Sequence, residues 1–196
     1  MAHRGLLHAI PVWLLRTAIV TLVTGIVVIA VGAMTADRHG RSITVHADNG
    51  VAEGAASPFV GTGYGLPALV GLACLAALST ASLWVVANRP AVVTDELAVE
   101  ETLRRASTQR VLRGSTAAAM VLVAGLVTVN GLAIRSASMT AAQAERLVAL
   151  PVGAAASLLP WVGGALALIG LAPGLAGVVV FFVRAPGAAE LADAER

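Results

Sequence analysis

Four stretches of this chain are apolar, free of charge and about as long as a bilayer is thick, and that pattern constrains the fold more than any other feature. They are Thr17 to Met34, Tyr64 to Ala87, Ser115 to Ile134 and Pro160 to Val183. About 20 apolar residues in a helix cross the hydrocarbon core. The runs are continuously apolar and do not alternate, so helices are expected rather than barrel strands. They predict spans over about 14–34, 64–87, 115–136 and 160–183 of a 196-residue chain. Charged residues make up only 12% of the sequence, 58% is hydrophobic, and mean hydropathy is +0.86. A soluble domain carries about 25% charge and could not bury so much apolar surface at this size. The expectation is an all-α, four-span integral membrane protein, a helical bundle forming one domain.

Arginine placement predicts which way round the bundle sits, because cytoplasmic flanks collect basic residues. With both termini in the cytoplasm, nine arginines face inward (4, 16, 89, 104, 105, 110, 113, 184 and 196) and four outward (38, 41, 135 and 146). Trp13, Tyr64, Trp84, Trp161 and the Phe181–Phe182 pair fall at predicted boundaries, where an amphipathic ring sits at headgroup level. The plasma (inner) membrane is the expected location. The apolar part of residues 1–36 exceeds a signal-peptide core and no small-x-small cleavage site follows it, so the first span is expected to be retained.

Residues 88–114 are then a cytoplasmic loop, and residues 94–114 hold eight of the 24 charges (13 arginines and 11 acids). Proline after Arg89 stops span two. Thr94 is a candidate N-cap, followed by Asp95 and Glu96 at the positive end of the helix dipole. Glu100 precedes Arg104, and Glu101 precedes Arg105, by four residues, the favourable order for helical ion pairs. Arg110, Arg113 and Gly114 close the segment. The pattern predicts a short amphipathic surface helix before span three. Val99, Leu103 and Ala106 form its apolar stripe, either a docking face for a cytoplasmic partner or the membrane surface, or an ordinary packing stripe.

The stretch RPAVVTDELAVEETLRRASTQRVLRG, with its Arg-Pro exit, acidic helix start and downstream arginines, resembles uncharacterised four-span membrane proteins of actinobacteria. The likeness takes in this loop, its flanking spans and the four-span plan. It implies no catalytic residue and no established activity; relatives encoded beside transport or regulatory genes imply an accessory role.

The chemistry these spans can host is narrow. Their central stretches contain no Asp, Glu, His, Lys or Arg, so they lack the titratable group of a proton-coupled path and the paired carboxylates of an intramembrane protease. No Walker loop or dinucleotide glycine fingerprint is present. Cys74 stands alone in an apolar run, as a small hydrophobe. No enzyme activity and no cofactor is expected, and no basic, aromatic-interleaved patch suggests nucleic acid. In the outer loop, 35–63, the residues Asp37, His39, His46 and Asp48 lack a recognised metal-ligand spacing. RSITVHA (41–47) alternates well enough for a short strand, with a hairpin to later residues as one reading and a glycine-rich polar loop as the other.

Within the spans, Gly170 and Gly174 make a small-xxx-small face, and Ala73, Ala77 and Ala81 another. Pro173 is expected to kink span four. Thr21, Thr24, Ser79, Thr80, Ser82, Thr128 and Asn130 are the polar groups available for bonds between helices. Asn130 stands out because a buried amide needs partners; it either fixes helix register or lines a polar pocket. The second outer segment, 137–159, is expected to hold an interfacial helix over 140–159. Leu-Pro and Arg-Pro echoes between spans two and four, and Leu-Arg before spans one and three, allow two like-oriented hairpins. The function expected is that of a non-enzymatic membrane component working through helix packing and its cytoplasmic loop. Its partners are the bilayer and another membrane protein or a second copy. The alternative is a small transporter or permease subunit for an uncharged or lipid-like substrate.

Overall fold

The computed structural model describes residues 11–46, 52–88, 97–149 and 151–182. Four helices, each long and apolar enough to cross a membrane, account for most of them. They are α1 (Val12–Thr35), α2 (Thr62–Asn88), α3 (Leu97–Leu147) and α4 (Ala154–Phe182), and a two-stranded antiparallel hairpin, β1 (Ile43–His46) and β2 (Glu53–Ala56), stands between α1 and α2.

The third helix organises the rest. Its 51 residues make a rod about 76 Å long at 1.5 Å per residue. It packs against α1, α2, α4 and both strands. Of the most apolar window in each span, 44% of the residues are buried in α3 against 6% in α2. The outer helices turn large apolar side chains outward, among them Val20, Val70, Leu78, Ile169 and Leu175, as a bilayer solvent requires. Trp13, Tyr64, Trp84, Trp161 and Phe182 are likewise exposed near helix ends.

Three apolar clusters run up the rod. At one end Leu14 of α1, Leu83 of α2, Leu112 of α3 and Val180 of α4 converge. In the middle Ile29, Leu72 and Ala119 pack with Leu22, Leu75, Leu122 and Leu126. At the other end Val45 and Ile43 of the hairpin lie on Ala137 and Ala141 of α3, with Leu159 of α4 beside them. Gly54 of β2 lets the strand backbone settle against the Ala137 carbonyl and the Ala141 amide, where any Cβ would collide.

The helix expected to end at Gly114 does not end there. Residues 97–114 are helical, but they are the first third of α3, continuous with the span. The reason is energetic: one glycine inside a helix costs about 1 kcal/mol, too little to break it without a proline or a competing cap. Thr94 lies outside the described residues, as do Asp95, Glu96 and the side chains of Glu100 and Glu101. The interfacial helix expected over 140–159 is also replaced. The rod runs on to Leu147, Ala149 takes a left-handed conformation (φ 57), Pro151 follows, and α4 begins at Ala154. A left-handed residue with a proline just beyond is a strong helix stop. Pro160 and Pro173 both lie inside α4 rather than bounding it. The two halves are unequal hairpins: a 24-residue helix leads one and a 51-residue helix the other.

Candidate functional site

The polar chemistry of the described residues gathers at the pole where α1 ends and α4 begins. Between β2 and α2 the chain dips into the bundle: Phe59 is 2% exposed and Val60 3%. The Val60 amide donates to Asn130 Oδ1 at 2.8 Å, and Asn130 is itself 7% exposed. Gly32 of α1 faces the Val60 carbonyl, so close that no side chain fits there. Asn130 is therefore occupied in holding a loop onto three helices. Thr24 lies on the exposed side of α1, so the two polar residues do not line a common cavity.

Most other hydroxyls in the spans turn back on their own helix. Thr21 donates to the Thr17 carbonyl, Ser79 to Leu75, Thr80 to Ala76 and Ser138 to Ile134, each one turn earlier. Thr128 differs: its hydroxyl donates to the Ala167 carbonyl of α4 at 3.3 Å. The Thr116 hydroxyl is buried with no hydrogen-bond partner among the described residues.

The seam between α3 and α4 is made of small residues. Gly163, Ala167, Gly170, Gly174 and Gly177 fall at alternating spacings of four and three, so they stay on one stripe of α4. Gly163 meets Gly131 and Arg135, Gly170 meets Thr128, Gly174 meets Ala124, and Gly177 meets Ala117 and Met120. Gly170 and Gly174 thus face α3 of the same chain. Ala73, Ala77 and Ala81 of α2 are exposed instead. Sequence reasoning picked out one step of the α4 stripe; the four-three rhythm from 163 to 177 is the signal that reveals the whole.

The ends of α4 are held by charged side chains of α3. Glu145, 0% exposed, accepts the Gly153 amide hydrogen through Oε2 at 3.1 Å, just before the first turn of α4. Negative charge there suits the helix dipole. At the far end Arg113 donates from Nε and Nη2 to the Val180 carbonyl, both at 3.3 Å, complementing the negative end of the same helix. Glu145 was not singled out from the sequence; a lone acid in an Ala-rich segment that ends in Pro151 was the available sign.

Beyond the glycine seam, toward the start of α4, a cleft of about 380 Å³ lies between α3 and α4. Arg135, Met139, Gln143 and Arg146 form its α3 wall; Ser157 and Trp161 stand on α4. Trp161 is 77% exposed. Among the described residues no carboxylate lines the cleft.

On the opposite pole, the expected interaction stripe is spread over the first turns of α3. Leu103 is 54% exposed, Ala106 is half-buried, and the side chain of Val99 lies outside the described residues. Arg104 reaches the Ala87 carbonyl near the end of α2, at 3.4 Å. In the hairpin, His46 Nδ1 lies 3.0 Å from Glu53 Oε1 across the strands. Among the described residues no three His, Cys, Asp or Glu side chains gather as metal ligands; Asp48 lies outside them.

Comparison with known proteins gives no match: no family model fits the chain, and neither a curated protein nor a solved structure is similar to it.

Proposed function

We propose that this chain is a non-enzymatic multi-pass component of the plasma membrane, with both termini on the cytoplasmic side, that works by contact with another membrane protein. The observation that carries the reading is the unbroken course of α3 from Leu97 to Leu147. The segment bearing exposed Leu103 is one rigid piece with the helix that touches every other element. A partner gripping the first turns of α3 therefore grips the whole bundle. Asn130, the interior amide that a permeation path would use, is buried and bonded to Val60, which favours a scaffold over a carrier.

The test is purification of the tagged chain from its native membrane in mild detergent, with a Val99→Ser/Leu103→Ser variant in parallel. A stoichiometric partner retained by the natural chain and lost from the variant supports the reading. A chain that carries no partner and is unaffected by the substitutions overturns it.

A further inference from the structure

The cleft beyond the glycine seam has the chemistry of an anion site, and we infer that it binds a phosphate group, that of a lipid headgroup or of a soluble phosphate ester. Arg135 and Arg146 stand 11 residues apart on α3, about 16 Å along one face, so they flank the two ends of the cleft with Gln143 between them in sequence. Neither guanidinium has an acid or hydrogen-bond partner among the described residues, whereas Arg113 and Arg104 are engaged with helix carbonyls. The nearest acid in sequence, Glu145, is buried and accepts from the Gly153 amide.

Two arginines and an amide offer donors, with no competing carboxylate among the described residues. A guanidinium fork matches phosphate oxygens two at a time. Apolar groups line both walls: Met139 stands among the polar side chains of α3, and Val152, Ala156, Pro160 and Trp161 face it. Met139 and the exposed Trp161 supply a surface for the first carbons of a glycerol or acyl chain. Tryptophan at this position belongs at headgroup depth, which puts the cleft where lipid phosphates lie. A volume of about 380 Å³ accommodates a headgroup and its backbone. This inference rests on the cleft alone and stands whether or not the chain works by contact with a protein partner.

The test uses the full chain in neutral detergent, with Trp13 and Trp84 changed to Phe so that Trp161 is the reporter. Dioctanoyl phosphatidylglycerol and glycerol 3-phosphate are titrated separately. A saturable change in Trp161 emission is expected. Arg135→Gln and Arg146→Gln should each weaken binding about ten-fold, as loss of a charge-assisted hydrogen bond does. Arg146→Lys, which keeps the charge but not the fork, should fall between Arg146→Gln and the natural residue. Arg38→Gln, an equal loss of charge in the α1–β1 turn, should leave binding unchanged. Saturation by both probes at similar concentration assigns a soluble phosphate ester, and saturation by the lipid alone assigns a headgroup; either supports the site. No saturable response to either probe overturns it, as does a response that both glutamine variants leave unchanged.

Discussion

Val60 donates its backbone hydrogen to Asn130 across 70 residues of sequence, at 2.8 Å and shielded from solvent. The bond fixes the loop before α2 to the central helix, and neither group has water as a substitute. Asn130→Ala orphans a buried amide and should destabilise the bundle by about 1–3 kcal/mol. Thermal unfolding in detergent reads the loss. Asn130→Leu, which fills the space but accepts nothing, should be no better than alanine.

The α3–α4 seam predicts a steeper loss. A Cβ on Gly131 would come within 2.6 Å of the Gly163 carbonyl oxygen, a backbone atom that cannot rotate away. Gly131→Ala should cost about 1–3 kcal/mol, and Gly131→Leu more, by forcing the two helices apart. A disulfide between cysteines placed at Ala124 and Gly174, which touch across the seam, should form in the natural background and fade in Gly131→Leu.

Glu145 holds the first turn of α4 from inside the protein. Glu145→Ala should cost about 1–2 kcal/mol, the loss of a cap, and Glu145→Gln, which keeps an acceptor oxygen, should cost less. Amide exchange at the start of α4, around Gly153, should accelerate in the alanine variant and change little elsewhere.

Gly114 provides the sharpest test of the continuous rod. Among the described residues nothing lies within 4 Å of a Cβ built on it. Inside an uninterrupted helix, Gly114→Ala should stabilise by about 1 kcal/mol, a higher melting temperature being the readout. A glycine ending a separate surface helix would give the opposite sign.

The proposed orientation is open to labelling. With Cys74 changed to Ala, a cysteine at Leu103 should react with an impermeant maleimide only after the cytoplasmic face is opened. A cysteine at His46, in the exposed edge of the hairpin, should react in intact cells. The reverse pattern refutes the arginine-based assignment.

The four helices were legible because the bilayer demands long charge-free runs, and their apolar centres fall where expected. Their ends were less so. Gly114 and Pro160 look like punctuation, yet a helix already anchored by tertiary contacts runs through both. Position 130 drew notice as an amide in an apolar run, but Val60 as its partner depends on a backbone group that has no signature in sequence. The Phe59–Val60 plug was missed for a related reason. Three apolar residues from Pro58 to Val60, in a loop otherwise polar and small, were its only trace. The cleft was illegible altogether, since it depends on which side chains of α3 and α4 come to line one gap between the two helices.

Order of synthesis gives the central rod a further consequence. The ribosome delivers α1, the hairpin and α2 before the first residue of α3 exists. For that interval Leu72 has only the α1 and Val60 side of its cluster, without Ala119 and Leu122, and the Val60 amide waits for an acceptor 70 residues away. Spans can insert singly and associate later, so this half-made protein is a pair of helices that touch through Gly25, Ile29 and Leu72 but lack the rod that buries the other side of that contact. A chain halted before Asn130 is a bundle without its middle, whereas one halted after Leu147 already holds every contact α3 makes with the three elements before it.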